Sequence, residues 1–182
     1  GTALAGSGPV SGRATVRSTL AEAITWVVAG GAEPRRTAAA PLAARIVSTR
    51  RELDTAALHS AMAHVCEAML RDSAAAARGR DLLERLASEL AYDTALACVA
   101  CLTSFFAAPC ALAVSWLRRS ASVFHAVECA LLVMVRDMSK SELQEHAMRL
   151  QARLARLLSV INTCNLPHAL PWLYSQHLVR MA

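Results

Sequence analysis

The chain has 182 residues, enough for one domain that buries a core without disulfide bonds or a structural metal. Apolar residues make up 55% of it and aromatic residues only 4%, and the strong helix formers Ala and Leu dominate. Because Val, Ile and Thr do not alternate with polar residues, the composition excludes a fold built on β-sheets and predicts an all-α fold. The net charge of +5 is too small to identify a nucleic-acid-binding protein by itself.

The first part of the chain predicts a flexible arm followed by a helical hairpin. Residues 1–17 are rich in glycine and small residues, and we expect them to precede a single helical domain at residues 18–182. From Ser18 an apolar residue recurs every three or four positions until a Gly-Gly pair ends the helix. Pro41 suits the first turn of a second helix, which completes the hairpin.

Two further hairpins are predicted in the middle of the chain. The second begins at Leu58, with the polar segment that ends at residues 78–80 between its helices, and the third begins near Thr94. Leu20, Leu58 and Leu96 recur at equal intervals. Equal spacing is typical of hairpins that stack to cover one another's apolar faces, so we expect stacked antiparallel hairpins, either a short α-solenoid or an irregular helical bundle.

The segment 94–117 has two interpretations. It contains no charged residue and is long enough to cross a bilayer. Arg118 and Arg119 would suit the positively charged flank of a membrane-spanning helix on the inner side of the membrane. Pro109 lies near its middle, however, where it would disrupt a continuous helix. We therefore favour a buried hairpin with a turn at residues 107–110, and a membrane contact remains the less favoured alternative.

The last third of the chain predicts two or three more helices. Residues 122–135 predict a fourth helix, either amphipathic or buried, and Ser139 with Glu142 has the pattern of a capping box. An apolar stripe then runs from Leu143 along a long helix that ends near Asn162. A last short helix packs back onto the body through Trp172, Leu173 and Leu178.

The cysteines predict a reduced protein without a metal. Most of the six lie among apolar residues at helical spacing, where a free thiol behaves as a small hydrophobic group. This pattern favours a reducing compartment over a secreted disulfide framework. Cys98-x-x-Cys101, with Cys110 nearby, comes nearest to a zinc site, but no second pair follows it. We expect neither a metal nor a cofactor.

The histidines do not predict an enzyme. His125 and Glu128 share one helix face, as do His59 and His64 approximately, but one helix cannot define a catalytic cleft. The sequence has no nucleophile elbow, phosphate-binding loop or kinase motif. We expect these side chains to make polar contacts between helices in a protein that is not an enzyme.

Arginines are the candidate binding residues. The 19 basic residues include a single lysine, Lys140, a bias that the codons of a GC-rich genome also explain. Guanidinium groups bind phosphates and carboxylates through paired hydrogen bonds, so arginine clusters could hold RNA or an acidic partner. The alternative for the long helix is a solvated face paired with Glu142 and Glu145. The candidates are Arg35, Arg36, Arg50, Arg51, Arg118, Arg119, Arg149, Arg153 and Arg156.

The segments TLAEAITWVV…PLAARIV, ALHSAMAHVC…LLERLA, TALACVACLTSFFAAPCALAVSWL and RLLSVINTCNLPHALPWLYSQHLV resemble the degenerate helical-hairpin repeats of organellar RNA-binding proteins. The octotricopeptide and related repeats that accompany RAP domains are the most similar. The resemblance implies a non-enzymatic accessory protein of the mitochondrial matrix that docks into a large organellar ribonucleoprotein, such as the mitochondrial ribosome, through RNA-backbone and protein contacts. Two alternatives stay open: an accessory subunit of a membrane-bound respiratory or ATP synthase complex, and a helical protein-interaction domain without nucleic acid.

Overall fold

The computed structural model describes residues 10–30, 38–49, 52, 54–107 and 114–163. Within these residues the protein consists of seven helices and no strand, which confirms the predicted all-α fold. The helices are α1 (Val10–Ala29), α2 (Ala39–Ser48), α3 (Thr55–Arg71), α4 (Ser73–Glu89), α5 (Ala91–Ala107), α6 (Val114–Asp137) and α7 (Lys140–Thr163).

The helices stack as hairpins in two layers, as the sequence predicts. Helices α1, α3, α5 and α7 pack side by side in one layer, and α2, α4 and α6 form the other. Each hairpin contributes one helix to each layer, and α3 also reaches α6 across the layers. Stacking covers the apolar face that a single hairpin would leave in water.

Helix α5 lies in the core of the stack. This helix packs against α3, α4, α6 and α7, and nine of its 17 residues are buried. Leu102 and Phe106 are among the largest side chains that solvent does not reach, and the Phe106 ring lies 6.1 Å from that of Phe124 on α6. The first helix of the apolar segment that begins near Thr94 is therefore largely buried among its helical neighbours.

Local signals in the sequence fix several helix ends. Gly30 follows α1 with a φ of +66°, a left-handed conformation that glycine adopts without strain. Asp54 and Asp72 accept hydrogen bonds from backbone N–H groups in the first turns of α3 and α4, those of Ala56 and Ala75. The capping box before α7 is confirmed, since the Ser139 backbone N–H donates to Glu142 and the Glu142 N–H faces the Ser139 hydroxyl.

Three predicted boundaries are wrong. Helix α1 begins at Val10, so residues 10–17 belong to it and not to a flexible arm. The break in the second hairpin lies at Asp72, whereas residues 78–80 lie inside α4. Helix α6 runs without interruption from Val114 to Asp137, where the sequence suggested two shorter helices. No glycine or proline occurs within α6, so nothing in the chain ends it earlier.

Gly79 explains why the α4 boundary was misplaced. A glycine usually weakens a helix, but here it lets α3 and α4 approach closely. A Cβ atom at this position would lie 2.4 Å from Cγ and 2.5 Å from Sδ of Met69. Met69 is fully buried, so it has little room to move. Gly79 therefore permits contact between the two helices and does not mark a turn.

The equal spacing of leucines does not correspond to equal positions in the helices. Leu20, Leu58 and Leu96 are all buried. Leu20 lies in the middle of α1, however, whereas Leu58 lies in the first turn of α3. The hairpins thus stack in regular order without a fixed repeat length. Pro109 and the predicted turn around it lie outside the described residues, although α5 and α6 are two separate helices.

Candidate functional site: the exposed sides of α7

Helix α7 is covered by the described part of the protein mainly along one side. It packs on α5, and only three of its 24 residues are buried: Leu150, Leu157 and Ile161. Near its first turns, the His146 ring stacks on Tyr92 with the ring centroids 3.9 Å apart. The rest of the α7 surface faces solvent or the groove beside α6.

An apolar groove separates α7 from α6. It has a volume of about 480 Å³. On the α6 side it is lined by Leu131, Met134 and Val135. On the α7 side it is lined by Leu143, Ala147, Leu150, Gln151, Leu154, Ala155 and Leu158. The groove occupies the place where a further helix of the second layer, next to α6, would cover α7.

The exposed apolar residues cluster at the same end of the protein. Among the described residues, four large apolar side chains are exposed to solvent. Three of them, Leu132, Val135 and Met148, belong to α6 and α7. Val135 is 69% exposed although it lines the groove. The sequence stripe from Leu143 predicted the α7 wall of the groove. The sequence did not identify the α6 wall of the groove, because residues 130–135 of α6 are all apolar and show no polar face.

The three candidate arginines of α7 lie on the side away from the groove. Arg149, Arg153 and Arg156 are separated by four and three residues, which places them on one side of a helix. All three are exposed, and none forms an ion pair with another described residue. The alternative pairing with Glu142 and Glu145 does not occur among the described residues, and Glu142 instead accepts hydrogen bonds from Ser139.

The remaining candidate arginines do not join this group. Arg118 is exposed near the start of α6. Arg119 donates a hydrogen bond to the backbone carbonyl of Arg71 and therefore links α6 to the end of α3. Arg35, Arg36, Arg50 and Arg51 lie outside the described residues.

Most other arginines of the stack are engaged in the fold. Arg45 pairs with Glu22 across the first hairpin, and Arg78 donates to the backbone carbonyl oxygens of Val27 and Val28 at 2.9 and 3.3 Å. Three more pair with a carboxylate close to them in the chain: Arg71, Arg80 and Arg136. The arginines of α7 differ from these because their hydrogen-bond donors are unused by the described residues.

Of the two cysteines of the CxxC motif, Cys98 lies in the core and Cys101 is half-buried beside it. Cys66 on α3 and Cys98 on α5 are fully buried, with their sulfur atoms 3.6 Å apart. Hydrogen bonding to Cys66, together with burial, raises the pKa of Cys101. A thiol whose pKa is raised in this way is a poor nucleophile, because the reactive form is the thiolate. Cys110 lies outside the described residues.

The histidines contact residues on neighbouring helices. His59 on α3 lies 2.9 Å from the Asp93 carboxylate on α5. His125 on α6 lies 2.7 Å from the Glu84 carboxylate on α4, so its partner is not Glu128 on its own helix. His64, in contrast, contacts the Ser60 carbonyl within α3, and does not form a site with His59. The sequence could not identify Glu84, because 41 residues separate it from His125.

No described helix combines the length and the apolar character that a bilayer crossing requires. No protein-family model, curated protein or solved structure matches the chain. The resemblance to organellar hairpin-repeat proteins therefore stays a prediction.

Proposed function

We infer that the protein is a non-enzymatic accessory component of a larger ribonucleoprotein, in which α7 contacts the phosphate backbone of RNA. The observation that carries this proposal is the row of exposed arginines on α7, Arg149, Arg153 and Arg156, which pair with no described residue. An organellar location agrees with the resemblance of the hairpins and remains part of the proposal.

The length of the row suits a nucleic-acid backbone. From Arg149 to Arg156 the helix rises about 10 Å, since each residue adds about 1.5 Å. Long arginine side chains extend this reach, so the row can contact two or three successive phosphates of a single strand. Guanidinium groups bind phosphate oxygens through two parallel hydrogen bonds.

The composition of α7 indicates contact without sequence readout. The helix contains no Phe, Tyr or Trp, and its one other ring, His146, is already stacked on Tyr92. Recognition of unpaired bases usually requires aromatic stacking. Phosphate contacts orient a protein on RNA but do not distinguish bases. We therefore expect similar affinity for single strands of different sequence.

The test is a titration of the full chain with a fluorescent single-stranded oligouridylate, followed by anisotropy at about 50 and 200 mM salt. Two or three phosphate contacts give a slope of log affinity against log salt of about −1.4 to −2. In the Arg149→Gln/Arg156→Gln variant we expect weaker binding and a slope that is shallower by about 1.4.

The matched control is the Arg17→Gln/Arg85→Gln variant. Both of its arginines are exposed and lie on other helices, α1 and α4, and it loses the same net charge. It should bind RNA nearly as well as the unmodified chain. Equal loss of affinity in the two variants would show that only net charge matters. If the unmodified chain does not bind RNA, the proposal fails and only protein partners remain as candidates.

A further inference from the structure

Three side chains with metal-binding atoms meet between α4 and α6. His125 and Cys129 are one turn apart on α6, and Glu84 faces them from α4. His125 Nε2 lies 2.7 Å from Glu84 Oε1 and 3.5 Å from Cys129 Sγ. The three donor atoms lie within 4.8 Å of one another, and all three residues are half-buried.

The arrangement differs from that of a nucleophilic thiol. In a Cys–His–carboxylate triad the imidazole lies between its partners and uses one ring nitrogen for each. Here Glu84 and Cys129 both approach Nε2 of His125. One ring nitrogen offers either a single N–H or a single lone pair, so it cannot satisfy both partners fully. Three donors directed at one point are suited to a shared cation.

The nitrogen–sulfur distance agrees with a tetrahedral zinc site, and the nitrogen–oxygen distance requires a small movement of Glu84. With Zn–N near 2.0–2.1 Å and Zn–S near 2.3 Å, a tetrahedral angle separates the nitrogen and sulfur by about 3.5 Å. His125 Nε2 and Cys129 Sγ are 3.5 Å apart. The same angle requires about 3.3 Å between nitrogen and carboxylate oxygen. Glu84 must therefore withdraw by about half an ångström, which its 35% exposed side chain can do.

We propose that Glu84, His125 and Cys129 bind a zinc ion, which links α4 to α6 and keeps one coordination position for water. A thiolate and an imidazole favour zinc over calcium or magnesium, which prefer oxygen ligands. The site uses none of the α7 arginines and is independent of RNA binding. It also differs from the CxxC motif, which the sequence presented as the nearest approach to a metal site.

Arg80 opposes the metal and therefore gives a specific test. Its Nε donates to the same Glu84 oxygen at 3.1 Å. The pair is half-exposed and one helical turn apart, an arrangement that contributes little to stability. Zinc can therefore displace this hydrogen bond. Removing the Arg80 charge should therefore tighten metal binding. If Glu84 served only to pair with Arg80 and did not bind a metal, the substitution would have no such effect.

The experiment titrates the reduced full chain with Co²⁺, a spectroscopic substitute for zinc. We expect one equivalent to produce absorption in the near ultraviolet from thiolate-to-cobalt charge transfer, and visible bands of the strength typical of four-coordinate cobalt. Zinc should remove both as it displaces cobalt. Cys129→Ser should abolish the ultraviolet band, and His125→Gln should weaken binding more than about tenfold, since loss of an outer-shell partner alone commonly costs that much.

Two further variants make the result specific. Cys101→Ser removes a thiol of the core and should leave the cobalt bands unchanged. Arg80→Gln should lower the concentration of cobalt needed for half-saturation. An unmodified chain without the charge-transfer band, or a band that persists in Cys129→Ser, would overturn the proposal.

A measurement on the unmodified chain covers the case in which the variants fail to fold. We expect zinc to slow alkylation of Cys129 by iodoacetamide, measured by mass spectrometry of its peptide, while alkylation of Cys101 stays unchanged. Equal rates for Cys129 with and without zinc would contradict a site at this position.

Discussion

Helices α5 and α7 differ both in how much of their surface is buried and in their composition. Helix α5 packs against four helices and contains one charged residue, Asp93. Helix α7 packs mainly on α5, and it carries charged residues in nearly every turn. The first is a buried element of the stack and the second is its open end. The comparison indicates that candidate contacts with other molecules lie at α7.

Several arginines in the body of the stack join separate helices, whereas, among the described residues, those of the α7 row do not. In the body of the stack, Arg45 and Arg78 join separate helices through a carboxylate and through backbone carbonyl oxygens. On α7 the three arginines of the row lie in solvent. An arginine count from the sequence cannot make this distinction, because it depends on what lies opposite each side chain.

The largest expected effect contrasts two leucines. Leu102 on α5 is fully buried, and Leu132 on α6 is 65% exposed. Leu102→Ala should lower the free energy of unfolding by about 2–5 kcal/mol, because it removes core contacts and leaves a cavity. Leu132→Ala should change it by less than about 0.5 kcal/mol. Urea denaturation of both variants measures the difference, and similar losses would contradict the contrast between core and open end.

Gly79→Ala should also destabilise the body, although alanine favours helices by about 1 kcal/mol over glycine. The added Cβ meets the buried Met69 side chain, and overpacking of this kind costs about 1–3 kcal/mol. In a Met69→Ala background the same substitution should become neutral or stabilising. Thermal denaturation of the four chains of this cycle tests the close approach of α3 and α4. A gain in stability from Gly79→Ala alone would show that the helices do not meet there.

The third prediction concerns the groove between α6 and α7. The sequence predicts a last helix that packs onto the body through Trp172, Leu173 and Leu178, residues outside the described part of the chain. The groove is an apolar surface along α7 from Leu143 to Leu158, and the chain continues beyond α7 at residue 164. Removal of residues 164–182 should therefore lower Tm by at least a few degrees, as about 1–2 kcal/mol of lost packing would do.

The shortened chain should also bind an apolar fluorescent dye more strongly, while its RNA affinity stays the same, because the arginine row lies away from the groove. An unchanged Tm and unchanged dye fluorescence would mean that residues 164–182 do not cover the groove.

The smallest effect is expected at the capping box of α7. Ser139→Ala should lower Tm by about 2–4 °C, since loss of an N-cap costs about 1 kcal/mol. The Ser139 hydroxyl and backbone N–H hold the pKa of Glu142 below its usual value. A carboxylate whose pKa is lowered by folding stabilises the fold above its unfolded pKa, and this contribution disappears as the pH falls through the folded pKa.

The difference in Tm between Ser139→Ala and the unmodified chain should therefore shrink in acid. Ser159→Ala, on the exposed surface of the same helix, is the control and should change Tm little at any pH. A Ser139 effect that stays constant from neutral pH to well below the pKa of Glu142 would contradict the role of the carboxylate.

Local signals in the sequence predicted several helix ends correctly. Gly30, Pro41 and the Ser139–Glu142 pair act within a few residues of themselves, and the helices end or begin where they indicate. The apolar stripe from Leu143 likewise predicted α7 almost to its end. Periodicity and capping need no knowledge of distant residues.

Features that depend on distant residues could not be predicted. Gly79 resembled a turn because its partner, Met69, lies on another helix. His125 gave no sign of Glu84, and Arg119 gave no sign of the Arg71 carbonyl that it contacts. The candidate arginine row was predicted as a pattern, but its lack of carboxylate partners appears only in three dimensions.

Amide hydrogen–deuterium exchange tests the contrast between the core and the open end most directly. In the full chain the amides of α5 should be among the slowest to exchange, because it packs against four helices, and those of α7 should exchange faster. Removal of residues 164–182 should accelerate amide exchange in α7 and leave the exchange rates of α5 unchanged. Protection of α7 equal to that of α5 in the shortened chain would contradict the account.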